Sequence, residues 1–539
     1  MGQAQPLIVA EKRIDVKSRT TLVLMAVFTT YFASTFFVRA MNVAMPKIAA
    51  DLNGMPLYSW AISLPALGAA IVTLIFGKLS DIYGRRIILT LSLMLFLLGA
   101  LLAAVSRTFE FNIAARVIIA LGQGSLAPLC FATLGDLFSP TERSKWSGLL
   151  NIPSGTTAVI GPTLVGMITD NLSWRYLFWI TALLIVISGV LVFCCMRAPA
   201  QRASHKIDFR GACLLAVASS MMILGFSWAG TTYSWTSVQI IGLLGGSAVF
   251  WIIFLRVEGR VAEPMLDPQV LKNRTFLTAA IAGFLSFFGL IGILMYYPLF
   301  LQGVQGSSAT LSGQIITPYG MLTAFMGVPA GFLLARTRRC KSMYIVGYAV
   351  LTASMFGMAT LNERSPLWVG VVVTSFAGLG LGAIPTINTL VAQFSVPKRL
   401  LGVAVGAMFF FVITGRAIAP AVLGSAMNAS YSRTLRSSLP AELGNMTANP
   451  DIASLTDMRV LISAEARGDL RKACVALGAQ GAAVFDRTVK AIREALETGL
   501  KIVFLIGGVT MLISFLLIIT IPEVSMEAEV LDKKAPIRI

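Results

Sequence analysis

Three arginines, Arg39, Arg116 and Arg416, stand inside long apolar runs of this chain, whereas each of its 25 aspartates and glutamates falls in a loop or at the end of a run. A guanidinium in a bilayer core costs at least ~2.5–3.5 kcal/mol unless it is paired or wet. It stays protonated at every accessible pH, so these residues can hold an anion but cannot pass a proton on and off. The expected place for them is the interior of a helical bundle, with Arg416 near mid-membrane. The competing expectation is that Arg39 and Arg116 snorkel to the nearer surface, Arg116 pairing with Glu110. Four amides in similar runs, Asn42, Gln123, Gln314 and Asn388, have the chemistry to share that interior, bonding a substrate or another helix. These seven residues are the candidate substrate path. What they offer is recognition, not bond making. The sequence holds no nucleophile–base set, phosphate loop or metal box; its single histidine is His205, and its six cysteines lack ligand spacing. No catalytic residue, metal or cofactor is expected.

A second set is spaced for a mechanical task. Gly77-Lys78-Leu79-Ser80-Asp81-Ile82-Tyr83-Gly84-Arg85-Arg86 is a short charged stretch between two apolar runs, 57–77 and 87–105, each long enough to cross a bilayer as a helix. Gly77 and Gly84 permit close approach and a tight reversal, and Asp81 is an anion placed to meet a helix N-terminus or an arginine. Arg85 and Arg86 hold the turn on the inner face. The stretch Gly331-Phe332-Leu333-Leu334-Ala335-Arg336-Thr337-Arg338-Arg339 is a degraded copy with Ala335 where Asp81 stands, as expected of a chain built from two similar halves. Between them, Gly155 and Gly161-Pro162-Thr163-Leu164-Val165-Gly166 predict a kinked helix that a neighbour approaches closely.

Positioning these residues falls to helices in lipid. Of 539 residues, 56% are hydrophobic and 13% charged, more apolar surface than a water-soluble core of ordinary size absorbs. Fourteen spans are expected, at 20–45, 57–77, 87–105, 110–135, 146–169, 175–196, 211–229, 238–255, 275–302, 309–335, 342–361, 366–392, 400–427 and 500–521. The net charge of +18 is not a nucleic-acid footprint, because the basic residues are spread over the connecting loops. With the N-terminus inside, 26 lysines and arginines fall on inner segments and four, Lys47, Arg107, Arg175 and Arg364, on the short outer loops. That imbalance predicts both termini on the cytoplasmic side of a bacterial inner membrane.

The spacing G-x-L-x-D-x-x-G-R-R at 77–86 resembles the signature loop between helices 2 and 3 of the major facilitator superfamily. The resemblance implies an all-α membrane protein of the major facilitator fold and gives this loop, together with Arg143, the role of a latch between two halves. Arg116-Val117-Ile118-Ile119-Ala120-Leu121-Gly122-Gln123-Gly124, followed by Asp136-Leu137-Phe138-Ser139-Pro140-Thr141-Glu142-Arg143, resembles the family's second motif, whose arginine lies on the transport path. Gly155, Gly161, Pro162 and Gly166 are similar to the antiporter motif of exporters, with Val165 in place of one glycine. Asp208-Phe209-Arg210-Gly211 and Glu263-Pro264-Met265-Leu266-Asp267 resemble the punctuation of the fourteen-helix drug:proton antiporter branch, the EmrB/QacA type. Members of that branch carry an aspartate in the first span; here Phe37 takes the position and Arg39 follows.

The expected organisation is an N-terminal six-helix bundle over 1–198, two inserted helices over 199–262, and a C-terminal six-helix bundle over 263–539 with an outer helical segment at 428–499. The expected function is export of small amphiphilic compounds by alternating access. The inverted charge of the path points to anionic substrates and to transport driven by membrane voltage. A translocator of an anionic lipid or lysolipid would want the same arginines and is the alternative; a membrane enzyme fits less well. The expected partners are the bilayer, the substrate and, at the outer segment, a periplasmic adaptor protein.

Overall fold

The structure, a computed structural model, describes residues 4–54, 57–196, 208–230, 232–261, 264–439, 458–461, 464–475 and 481–523. The linker carrying His205, Glu263, residues 440–457 of the outer segment and the C-terminal residues from 524 lie outside them. The described residues are helical nearly throughout.

Seven helices form the first half: α1 (Ala4–Asp51), α2 (Tyr58–Tyr83), α3 (Arg85–Ala104), α4 (Phe109–Leu137), α5 (Pro140–Leu149), α6 (Asn151–Asn171) and α7 (Arg175–Cys195). A hairpin follows, α8 (Phe209–Trp228) and α9 (Val238–Glu258). The second half holds α10 (Pro268–Lys272), α11 (Arg274–Val304, with π-helical turns at Gly292–Tyr296 and Phe300–Val304), α12 (Ala309–Phe325), α13 (Gly327–Thr337), α14 (Cys340–Ala359), α15 (Leu367–Phe394), α16 (Leu401–Ser438), α17 (Ala464–Val475) and α18 (Gly481–Ile519).

Local chemistry sets the starts. Thr108, Ser237, Asn273 and Ser308 each accept a backbone N–H of the first turn of the helix that follows, and Pro140 opens α5, where a missing N–H leaves nothing unsatisfied. Between α2 and α3 there is a single residue, Gly84, at φ 88° and ψ 151°, a region that side-chain-bearing residues avoid.

Among the described residues, twelve helices are long and apolar enough to cross a membrane, and α12 with α13, bent by 41° at Met326, makes a thirteenth if the pair counts as one span. The expected span at 146–169 is a helix, but it starts at Asn151 after a break at Leu150 and, with its Ser, Thr, Asn and Gly content, is too polar to count by the same measure. Among the described residues, twelve to thirteen spans stand against the expected fourteen.

Two apolar cores match the two halves. One gathers Phe36, Phe37, Met41, Leu93, Phe96, Phe109, Trp174 and Phe178 from α1, α3, α4 and α7. The larger one runs through α11, α14, α15, α16 and α18, with Tyr297, Phe300, Tyr348, Met355, Phe504 and Met511. The hairpin lies against both: Ser227 bonds Ser63 of α2 at 2.6 Å, and Trp235, in the turn, donates to Ser425 of α16 at 2.7 Å.

Candidate latch and substrate path

Asp81 stands on the last turn of α2, facing the start of α16. Its two carboxylate oxygens accept the backbone N–H groups of Gly402 and Val403, each at 2.9 Å. These are first-turn amides, which no residue within a helix can satisfy, and α16's own cap residue, Leu400, gives no side-chain bond. Asp81 therefore caps a helix of the other half, with the helix dipole adding to the attraction. Arg85 fixes it from behind: its Nη2 lies 2.7 Å from Asp81 Oδ1, its Nε donates to Asp136 Oδ2 at 2.7 Å, and its Nη1 donates to the Ser80 hydroxyl. Arg86 lies over the Phe193 ring at 4.6 Å, on the outside of the turn. The backbones touch below: a Cβ on Gly77 would sit 2.6 Å from the Gly402 carbonyl oxygen, and one on Gly406 would sit 2.8 Å from that of Thr73. A cavity of about 380 Å³ borders this set, between Asp81, Arg85, Asp136, Lys398 and Arg399.

The degraded copy occupies the matching place on α13. A Cβ on Gly331 would meet the Ser144 carbonyl oxygen at 2.5 Å and the Gly148 Cα at 2.8 Å, so α13 rides on α5 as α2 rides on α16. Arg143 of α5 is 1% exposed; its Nη2 donates to Gly135 O at 2.6 Å, and its guanidinium lies 5.5 Å from the Phe394 ring of α15. Two further bonds join the halves toward this end, Asn151 Nδ2 to Thr386 Oγ1 and Gln393 Nε2 to Phe131 O, both at 2.9 Å.

The path residues divide into two groups. Arg416 lies fourteen residues beyond Gly402, about 21 Å along α16 at 1.5 Å per residue. Its side chain is exposed while the neighbouring Gly415, Ile418 and Ala419 are buried. Arg39 on α1 is close enough for its charge to be felt at Arg416, and is itself in electrostatic reach of Tyr31, which bonds Ser154 of α6. The stem of Arg39 runs along Gly161, where a Cβ would stand 3.4 Å from Arg39 Cβ. Asn42, one turn on, is exposed, as is Gln314 on α12.

The other three are engaged within their own halves. Arg116 is 9% exposed and its Nη1 donates to Met45 Sδ at 2.7 Å and Ala61 O at 2.9 Å. Gln123 donates to Ser34 Oγ at 2.9 Å. Asn388 is 3% exposed, accepts the Tyr344 hydroxyl and fills the space over Gly283. Of the other small residues singled out, a Cβ on Gly155 would lie 2.8 Å from the Phe325 ring of α12, while one on Gly166 would meet nothing within 4 Å. Pro162 lies within α6, its side chain outside the described residues.

Sequence reasoning passed over Tyr31, Ser154, Gly402 and Gly406, and it quoted Asp136 without its partner. Three of these had a signal: Gly402-Val403-Ala404-Val405-Gly406 is a small-x-x-x-small pattern for close helix approach, and Tyr31 lies eight residues, roughly two turns, before Arg39. The pairing of Asp136 with Arg85 had none, since only the fold brings the two together.

The family model described as Major Facilitator Superfamily matches residues 27–420. An uncharacterized MFS-type transporter of Mycobacterium tuberculosis is 32% identical over 416 residues, 76% of this chain; the match spans 60% of that relative's length. Multidrug resistance protein 3 of Bacillus subtilis is 30% identical, over 75% of this chain and 78% of the relative, and the multidrug transporter protein MdtP of the same organism is 29% identical over 80% of each. Among solved structures, the proton:xylose symporter XylE aligns over 96% of this chain and 99% of its own with a TM-score of 0.57 at 12% identity. The human organic anion transporter MFSD10 aligns over 75% and 93% with a TM-score of 0.54 at 18% identity. At those identities the likeness is one of fold.

Proposed function

Because the chain belongs to the Major Facilitator Superfamily, we propose that it is a secondary transporter, not an enzyme, that exports small amphiphilic anions by alternating access. The observation that supports the reading is that Arg39 and Arg416, from opposite halves, lie within electrostatic reach, with no carboxylate among the described residues acting on either. Two guanidiniums near each other repel, and an anion between them relieves the repulsion while leaving apolar walls for the rest of the molecule. The names of the Bacillus subtilis relatives support efflux of drug-like compounds.

The latch closes one end of the candidate path. The loop charge places that end in the cytoplasm of a bacterial cell, with both termini there, so the structure is read as the outward-facing state. Transport then alternates between this state and one in which Asp81 releases α16 and the halves rock apart. With arginines rather than carboxylates on the path, an exported anion moves down the inside-negative potential, gaining roughly 2.3 kcal/mol per charge per 100 mV. The outer segment formed by α17 and the first turns of α18 is the surface offered to a periplasmic adaptor.

The test is binding of paired amphiphiles, equal in apolar body and opposite in charge, to the purified full chain. Binding of the anionic member, lost in Arg416→Ala and not fully restored in Arg416→Lys, is the expected result; preference for the cation, or unchanged binding in the alanine variant, overturns it. In proteoliposomes, efflux should stop when potassium and valinomycin clamp the potential to zero. Efflux that persists there but stops when a pH gradient is removed would return the protein to proton exchange.

A further inference from the structure

At the foot of the inserted hairpin, on the latch side, two carboxyl groups converge. Asp208 caps α8, its Oδ1 accepting Gly211 N–H at 2.9 Å. Glu258 ends α9, is 2% exposed, and its Oε2 accepts Leu266 N–H at 3.3 Å from the segment leading into the second half. Their other oxygens, Asp208 Oδ2 and Glu258 Oε1, are both buried and have no hydrogen-bond partner among the described residues. Both point at one spot. A Cβ built on Gly211 would lie 2.4 Å from the first and 2.5 Å from the second, so only glycine leaves them room.

Two buried carboxylate oxygens facing each other cannot both carry charge without a counter-ion, since at short range the repulsion is only relieved by a cation or a proton. The charged groups that face Glu258 are Asp208 from α8 and Lys78 from α2. Lys78 is the weaker of the two influences, and no described residue bonds either free oxygen.

We propose that Asp208 and Glu258 form a proton-binding site in which one proton is shared between Asp208 Oδ2 and Glu258 Oε1. The proton enters from the latch-side solvent and bonds one oxygen as donor to the other, making the two acids a single monoanionic pair. Holding it keeps the ends of α8 and α9 together and keeps Glu258 on the backbone of Leu266. Losing it sets two negative charges against each other and loosens the hairpin foot. Because the hairpin also bonds α2 and α16, the site gives latch-side pH a lever on both halves, in a protein whose central path offers arginines. The assignment stands on this geometry and does not depend on the transported molecule.

The experiment is infrared titration of the purified full chain in lipid nanodiscs, following protonated-carboxyl absorption between pH 5 and 8. The wild type should show one titrating carboxyl band that Glu258→Gln removes and Asp208→Asn shifts, while Asp81→Asn leaves it in place. Thermal unfolding across the same pH range gives a second readout. A proton held in the folded state above the pH at which an unfolded carboxyl releases it makes stability fall as pH rises, and Glu258→Gln should abolish that slope. A wild-type band that neither variant alters, or a pH slope unchanged in Glu258→Gln, overturns the proposal. So does a wild type with no titrating band whose stability rises on adding sodium, which would make the occupant a metal cation.

Discussion

The two copies of the candidate latch share a glycine contact between helix backbones and differ in chemistry and in the turn that follows. Gly77, Asp81, Gly84 and Arg85 in the first half correspond to Gly331, Ala335, Arg338 and Arg339 in the second. In both, a glycine lets helix backbones touch, on Gly402 and Gly406 in one case and on Ser144 and Gly148 in the other. The charges do not repeat: Arg85 is 11% exposed and tied to Asp81 and Asp136, whereas Arg339 is exposed. The partner helices explain this. α16 begins at Leu401, so the amides of Gly402 and Val403 are free to take a carboxylate. α5 begins at Pro140, and by Arg143 its amides are already bonded backward, Arg143 N–H to Ser139 O at 2.8 Å. An acid at 335 would find no free N–H there. The packing half of the device is common to both copies, and the capping half is possible only where a helix starts at the contact.

The largest expected effect tests that statement directly. Ala335→Asp, at a site 5% exposed, should lower stability by about 3–5 kcal/mol, the cost of a buried charge without a partner. It is measured as a drop in unfolding temperature in detergent; a neutral or stabilising result would mean that α5 does offer donors and that the asymmetry has another cause. Next come Gly77→Val and Gly331→Val, which should each cost about 1–3 kcal/mol and by similar amounts, because both place a side chain against backbone. Unequal losses would show that one contact carries the closed end alone. Asp81→Asn should leave expression near normal but weaken the cap by about 1.5 kcal/mol, since the bond loses its charge. The readout is transport rate together with labelling of a cysteine placed at Thr133 in the border cavity: slower transport with raised labelling is expected, and unchanged values for both would reduce Asp81 to a solvated loop charge. The smallest pair concerns the turns. Gly84→Ala should cost about 1 kcal/mol or more at its positive φ. Arg338→Gly, at φ 56°, should gain only a few tenths, the relief of left-handed strain being offset by glycine's freedom in the unfolded chain.

The sequence by itself determined the helices in lipid, the family, the latch stretch and its copy, and the absence of carboxylates from the apolar runs. Those features are one-dimensional: run length, glycine and charge spacing, and loop composition are read along the chain because the bilayer imposes the same requirement on every span. It also set out the three arginines as a group, but what each does was decided in three dimensions. Arg39 and Arg416 come from helices nearly 380 positions apart and are brought within electrostatic reach, while Arg116 is spent on Met45 and Ala61 within one half. Asn388 looked equivalent to Asn42 in an apolar run, yet Tyr344 claims it. No local pattern distinguishes them, because helical period tells which residues share a face and not which neighbour that face meets. The same limit hid Asp136 from Arg85 and Glu258 from Asp208. Pairing across helices depends on where each helix begins, how far it slides and which glycines let it close, and those are settled only when all the helices are packed.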